Sequence, residues 1–236
     1  MDFLGEVGRW FLAGGHWQGT GGIPNRLLEH VLMSLAATLV AAAIALPVGL
    51  LLGHLGRGGN VAINLSNVGR AIPSFAILVI ALQVFGIGAK PAFVALVALA
   101  IPPIVTNSYV GVHEVDPEIK EAARGVGMRW SAVLLKVELP LALPLIMAGI
   151  RTSAVQVVAT ATLAALVAWG GLGRFIVDGL SQRDFVQVFA GALLVAFLAI
   201  LTELALAGLQ RLVVPRGLRQ LEADAKAAGQ TGLQAA

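Results

Sequence analysis

Few side chains in this sequence could carry out chemistry, and their spacing matches no common catalytic or metal-binding pattern. The chain has no cysteine, which excludes thiol chemistry and cysteine-based metal sites. None of its lysines follows a glycine, so the phosphate-binding loop GxxxxGK followed by Ser or Thr cannot form. The histidines are far apart and lack metal-ligand spacing: His16, His30, His54 and His113. We therefore predict neither an enzyme nor a cofactor or metal site in this chain.

Polar side chains inside apolar stretches are more informative. Glu203 lies in the last apolar stretch, where an unpaired carboxylate costs about 2.5–3.5 kcal/mol. We expect it to pair with Arg70 or Arg151, as a structural ion pair or as part of a transport pathway. A second set of polar residues could line a pathway or form interhelical hydrogen bonds: Ser74, Asn107, Ser108 and Tyr109.

The composition indicates what these residues are embedded in. The chain has 236 residues, of which 58% are hydrophobic and 12% charged, with a mean hydropathy of +0.86. These values are typical of an all-α integral membrane protein. The net charge of +3 and the pI near 9.8 do not indicate nucleic-acid binding, because the basic residues flank apolar stretches.

Apolar stretches of about 20 residues or more predict about five transmembrane helices. Prolines are expected to kink the first at Pro47 and to interrupt the third at Pro102 and Pro103. The stretches are 28–55, 62–85, 91–112, 141–168 and 186–214. The predicted domain is 26–214, followed by a disordered cytoplasmic tail at 215–236.

The first 25 residues predict an external helix lying in the membrane interface, anchored by Trp10 and Trp17. A signal peptide is disfavoured because the segment lacks a basic leading region and a continuous apolar core.

Loop charges predict the orientation of the chain. One side carries eleven of the sixteen basic residues, namely Arg57, Arg70, Lys120, Arg124, Arg129, Lys136, Arg151, Arg211, Arg216, Arg219 and Lys226. The other side carries five, namely Arg9, Arg26, Lys90, Arg174 and Arg183. The positive-inside rule predicts an external N-terminus and a cytoplasmic C-terminus, as an odd number of spans requires.

The longest polar interruption, residues 116–140, lies on the predicted cytoplasmic side. Asp116 and Pro117 predict a helix start, and Glu118 and Glu121 favour its positive end. Helix capping and solvation explain the acidic residues Glu114, Asp116 and Glu118 better than a catalytic carboxylate pair does. Gly125 and Gly127 predict a bend, and a second amphipathic segment is expected to stop at Pro140.

This loop resembles the EAA loop of permease subunits in binding-protein-dependent ABC importers. The matching residues are Glu121, Ala122, Ala123, Gly127, Val137, Leu139 and Pro140, with Val137 where isoleucine is usual. The resemblance implies the type I ABC importer permease (MetI-like) fold, in which this loop is a coupling helix that docks into a cleft on the ATPase subunit. The implied coupling residues are Glu121, Ala122, Ala123, Arg124, Gly125, Val126, Gly127 and Met128, whose small members would allow close backbone approach.

The strings RAIPSFAIL, VTNSYVGVHEVDP and ATLAALVAWGGLG resemble, more narrowly, osmoprotectant permeases that carry glycine betaine, carnitine or choline. This implies a dimeric permease core in the cytoplasmic membrane, built from identical or homologous subunits. It also implies two ATPase subunits that bind ATP and Mg²⁺, and a separate external substrate-binding protein. An importer of amino acids or other small solutes, or an ion-gradient-driven transporter, remains an alternative.

The amphipathic segment after the fourth stretch is predicted to lie on the external surface. Because it is punctuated by glycines, we expect it to contact the binding protein through Gly171, Gly173, Asp178 and Arg183.

Overall fold

The protein is built from helices, and a computed structural model describes residues 3–56, 58–215 and 217. Within these ranges, the side chains of residues 60–62, 65 and 70 lie outside the description. The tail predicted to be disordered, 215–236, also lies outside the described residues except at positions 215 and 217. The all-α class predicted from the sequence is confirmed.

The helices follow one another with short connections. They are α1 (Phe3–Leu12), α2 (Ile23–Leu55), α3 (Gly59–Ala71), α4 (Ser74–Phe85), α5 (Ala89–His113), α6 (Pro117–Gly125), α7 (Trp130–Val133), α8 (Leu139–Thr160), α9 (Gly173–Gln182) and α10 (Phe185–Val213). A π-helical turn, Leu134–Glu138, joins α7 to α8, and a 3₁₀ helix, Ala161–Val167, extends α8. A further 3₁₀ turn, Gly14–Trp17, follows α1.

The helices α2 and α5 form the centre of the bundle and pack closely because small residues line their contact. A Cβ atom at Gly49 would lie 2.7 Å from Cβ of Ser108, and one at Gly53 would lie 2.8 Å from the carbonyl oxygen of Tyr109. Such close approach is typical of membrane helix pairs, which associate through packing of small residues. α8 packs against α5, and α10 packs against α8 and α9.

Four of the described helical stretches are long and apolar enough to cross a bilayer: Ile23–Leu55, Ala89–His113, Trp130–Val167 and Phe185–Val213. The predicted second span, 62–85, is not one continuous helix. It is divided into α3 and α4 at Ile72, which is extended with φ −72° and ψ 123°. Pro73 explains the break, because proline disfavours the helical conformation of the residue before it.

The predicted interruption of the third span at Pro102 and Pro103 is wrong, because α5 runs through both prolines. Polar side chains bond carbonyl groups next to this site. The hydroxyl of Ser153 donates to the carbonyl of Ala100, and the amide of Asn107 donates to the carbonyl of Pro103 at 2.8 Å. These bonds do not replace the ones that the prolines remove, which involve the carbonyls of Ala98 and Leu99. Both prolines are buried, and α5 continues through them where it packs against α2 and α8.

The predicted stop at Pro140 is also wrong, since the helical path continues from Trp130 to Val167. The π-helical turn Leu134–Glu138 directly precedes Leu139 and Pro140. Proline lacks an N–H and clashes with the carbonyl one turn earlier, and the wider turn accommodates both effects.

The N-terminal helix α1 is present as predicted, but Trp10 is not an interfacial anchor. Its side chain is buried and packs edge-on against Phe175 of α9, with 5.6 Å between the ring centroids. Trp17 is exposed, as an anchor would be, and its Nε1 donates to the carbonyl of Phe11 at 2.7 Å. The apolar face of α1 is therefore used for packing within the chain.

Candidate functional site

The predicted coupling segment begins with the expected helix. The side-chain Oδ1 of Asp116 accepts a hydrogen bond from the backbone N–H of Glu118 at 2.8 Å, and Pro117 occupies the first turn. This N-cap satisfies one of the free N–H groups at the helix start. The helix start that Asp116 and Pro117 predict is thus confirmed.

The end of α6 is a Schellman motif. The N–H of Gly127 donates to the carbonyl of Arg124 at 2.9 Å, and the N–H of Met128 donates to that of Ala123 at 3.2 Å. Gly127 has a φ of +82°, a conformation that costs residues with a Cβ about 1–2 kcal/mol. Glycine is therefore the favoured residue at this turn, whatever the segment contacts.

The coupling residues differ in accessibility. Those exposed are Glu121, Ala122, Arg124, Gly125, Val126 and Gly127. Met128 is half-buried, and Ala123 is buried within the chain. The side chain of Val126 is 80% exposed and is therefore accessible to a partner at the bend after α6.

The structure also shows a buried polar cluster beside α6 that sequence reasoning missed. His54, at the end of α2, donates through Nδ1 to Oε2 of Glu138, and both side chains are fully buried. Nζ of Lys120 on α6 lies 3.8 Å from Oε1 of Glu138. The ring of Trp130 stands edge-on to that of His54, with centroids 4.1 Å apart. We call His54, Lys120, Trp130 and Glu138 the Glu138 cluster.

Lys120 also caps the end of α5. Its Nζ donates to the carbonyl oxygen of Val112 at 2.9 Å and lies 3.4 Å from that of His113. A cation is favourable there because the last carbonyls of a helix carry partial negative charge. One side chain of α6 therefore contacts the ends of two other elements.

The residues predicted to line a pathway do not come together. Ser108 is fully buried between α2 and α5, and Tyr109 is buried and stacks on His113 with ring centroids 5.2 Å apart. Asn107 and Ser74 are half-buried, and Asn107 bonds within its own helix. Their role in a pathway stays a prediction.

At the other end of the bundle, the predicted glycine-punctuated segment folds into α9. Gly171 and Gly173 are buried, while Asp178 is half-buried and pairs with Arg174 at 2.7 Å. Arg183 is exposed. Of these predicted binding-protein contacts, Arg183 is the most accessible, and the glycines serve packing within the chain.

The loop before α9 is held by two neighbouring residues of α2. Oε2 of Glu29 accepts from the N–H of Gly171 at 2.8 Å. Nδ1 of His30 accepts from the N–H of Leu172 at 3.2 Å, and its Nε2 donates to the carbonyl of Val158 at 2.8 Å. All the nitrogen atoms of the His30 ring thus have partners.

The expectation that Glu203 is paired is also met. Its Oε1 lies 3.1 Å from Nε of Arg151, and the guanidinium also donates to Oε1 of Gln210 at 3.1 Å. Arg70, the other candidate, has its side chain outside the described residues. The pair joins α8 to α10.

Comparison with known proteins gives a consistent result. Residues 45–218 match the family described as "binding-protein-dependent transport system inner membrane component". The choline transport system permease protein OpuBB of Bacillus subtilis is 36% identical over 202 residues, covering 86% of this chain and 93% of the relative. The glycine betaine/carnitine/choline transport system permease protein OpuCB of B. subtilis is 38% identical, covering 82% and 89%. The carnitine transport permease protein OpuCB of Listeria monocytogenes is 38% identical, covering 81% and 88%.

A solved structure titled as an inward-facing conformation of the MetNI methionine ABC transporter is also similar. Its matching chain has 24% sequence identity and a TM-score of 0.69, with 80% of this chain and 94% of that chain covered. At this sequence identity the similarity is informative about the fold alone. The structural similarity confirms the predicted MetI-like fold.

Proposed function

The chain belongs to the inner membrane components of binding-protein-dependent transport systems, and on that premise we propose that it carries an osmoprotectant across the cytoplasmic membrane. The solute is a quaternary amine such as glycine betaine, choline or carnitine. Transport is powered by separate ATPase subunits, which bind ATP and Mg²⁺. An external binding protein delivers the solute, and a second permease subunit, identical or homologous, completes the pathway.

The proposed class of solute is supported by the names of the related proteins. Several relatives more than 30% identical over most of this chain are named for choline, glycine betaine or carnitine transport. The likeness to the methionine transporter concerns the fold and does not favour methionine as the solute.

The exposed surface of α6 and its bend supports a docking role. Ala122 and Gly125 are small residues and are exposed. Val126 adds an exposed apolar side chain at the bend. A small apolar projection framed by charged residues is suited to a cleft on a partner, because it can be buried without leaving polar groups unpaired. In this proposal α6 faces the cytoplasm and the ATPase.

The opposite end then faces outward, with the N-terminus. Leu180 and Arg183 at the end of α9 are exposed and accessible to a binding protein. The predicted charge distribution across the membrane supports this orientation.

A reconstituted assay tests the solute class. The chain is assembled in vesicles with its ATPase and binding protein, and ATP-dependent uptake of labelled glycine betaine and choline is measured. We expect uptake of at least one, with competition by carnitine and none by methionine. Uptake of labelled methionine in the same vesicles, with no uptake of glycine betaine or choline, would contradict the proposed solute and leave the family intact.

The docking role predicts a large effect at Ala122. Ala122→Trp should lower stimulated ATP hydrolysis and uptake by about tenfold, which corresponds to about 1.4 kcal/mol of coupling free energy. Arg211→Trp, which adds a tryptophan at an exposed position near the end of α10, outside residues 116–140, is the control. If both variants bind the ATPase in a pull-down and retain full stimulated hydrolysis, α6 is not the docking element.

A further inference from the structure

The Glu138 cluster joins side chains from four elements, namely α2, α6, α7 and the π-helical turn before α8. The pair His54 and Glu138 is separated by 84 positions, and Lys120 comes from the short helix between them. The cluster lies where the end of α2, the end of α5 and the start of α8 meet.

The charge on Glu138 determines what the cluster requires. Its side chain is fully buried, and a buried carboxylate is costly unless it is paired and hydrogen-bonded. His54 supplies a hydrogen bond, but its charge depends on protonation. Among the residues the structure describes, Lys120 is the lysine or arginine side chain that forms an ion pair with Glu138. Moving α6 away would therefore leave a buried negative charge with a weaker partner.

The two contacts of Glu138 also differ in kind. The contact with His54 is a hydrogen bond, whereas Nζ of Lys120 lies 3.8 Å from Oε1, beyond hydrogen-bond distance. His54 therefore fixes the carboxylate against α2, and Lys120 is held to that carboxylate by charge. Such an attraction restrains α6 over a range of small displacements without requiring one hydrogen-bond geometry.

We propose that Glu138 is a positioning residue that links α6 to the inner end of α2 through Lys120 and His54. A displacement of α6 by a docked ATPase is then transmitted to α2, and not only to α5, whose end Lys120 also caps. This inference rests on the proposed docking role of α6 for its consequence, but the link itself can be measured in the isolated chain.

Hydrogen exchange in the purified full chain, in detergent, tests the link directly. Glu138→Gln removes the charge that holds Lys120, so exchange of the α6 backbone amides should rise by about tenfold. Glu114→Gln removes an exposed carboxylate near the same end of α5 and is the matched control, with no expected change. Unchanged α6 exchange in Glu138→Gln would overturn the proposal.

A second variant separates the link from folding. His54→Phe combined with Glu138→Leu replaces the buried pair by apolar groups, a change that is often neutral or stabilising. The double variant should melt near the wild-type temperature and still show faster α6 exchange, because Lys120 has lost its carboxylate. Wild-type exchange in this folded variant would equally overturn the proposal.

The consequence for transport is measured as ATP hydrolysis by the assembled complex. Both variants should lower the ratio of ATP hydrolysis with binding protein to hydrolysis without it, towards one, at equal amounts of assembled complex. A change that only weakened folding would lower both rates together. If α6 exchange rises but this ratio stays at the wild-type value, the link exists and its proposed role in coupling is refuted.

Discussion

The two histidines of α2 lie near opposite ends of one helix and are held in contrasting ways. His30 uses both ring nitrogens in hydrogen bonds to backbone groups of other segments. His54 contacts a side chain, Glu138, and its Nε2 has no hydrogen-bond partner among the described residues. Backbone partners fix the position of a loop, whereas side-chain partners on separate helices allow those helices to shift. The contrast suggests a rigid α9 end and an α6 end that can be displaced.

The largest expected effect on stability is at the rigid end. His30→Ala would leave the N–H of the fully buried Leu172 and the carbonyl of Val158 without this partner, a loss of about 3 kcal/mol. The melting temperature of the purified chain measures it, with His113→Ala at an exposed position as the control. A fall no larger than that of the control would remove the contrast between the two ends.

A smaller loss of stability is expected when one glycine at each of these two ends is replaced by alanine. Gly171 and Gly127 share a φ of +82°, so alanine should cost about 1–2 kcal/mol at either position. At Gly171 the new Cβ would also lie 3.2 Å from Nδ1 of His30, whereas nothing lies within 4 Å at Gly127. Gly171→Ala should therefore lower the melting temperature more than Gly127→Ala.

The control for this comparison is Gly125, which lies inside α6 without a positive φ and also has open space around it. Gly125→Ala should be neutral or slightly stabilising, since alanine favours helix more than glycine does. Equal losses at Gly171 and Gly127 would mean that the loop before α9 yields as readily as the bend after α6.

The smallest effect concerns the pair that joins α8 to α10 between these ends. A double-mutant cycle with Arg151→Met and Glu203→Gln should give a coupling energy of about 0.5–1 kcal/mol, because both side chains are partly exposed. Melting temperatures of the two single variants and the double variant supply the cycle. Strict additivity would show that the observed contact contributes nothing.

Sequence reasoning succeeded where the determining interactions are local. The start of α6 follows from Asp116 and Pro117, because an N-cap acts within three residues. The family could be inferred from the residues between Glu121 and Pro140, since docking and turn geometry require fixed spacing. The all-α membrane class followed from hydrophobic stretches of sufficient length, and the MetI-like fold followed from the family resemblance.

It failed where a distant partner overrides a local rule. Pro102 and Pro103 predict a break, but α5 runs through both of these buried prolines, packed against α2 and α8. Glu138 appeared as one polar residue of an amphipathic segment, and nothing in its spacing indicated His54. Its position directly before the apolar run from Leu139 was the one available signal, because a carboxylate at that depth needs a partner.

The π-helical turn Leu134–Glu138 fixes the rotational phase between α7 and α8. One residue corresponds to about 100° of rotation at 3.6 residues per turn. A π turn holds about one residue more than an α turn, so closing it to a regular α-helix without removing a residue would rotate the side chains of α8 by about that angle relative to α7. Glu138, at the end of this turn, would then move away from its position beside His54. The number of residues between Glu121 and Pro140 thus sets the direction in which the Glu138 side chain points.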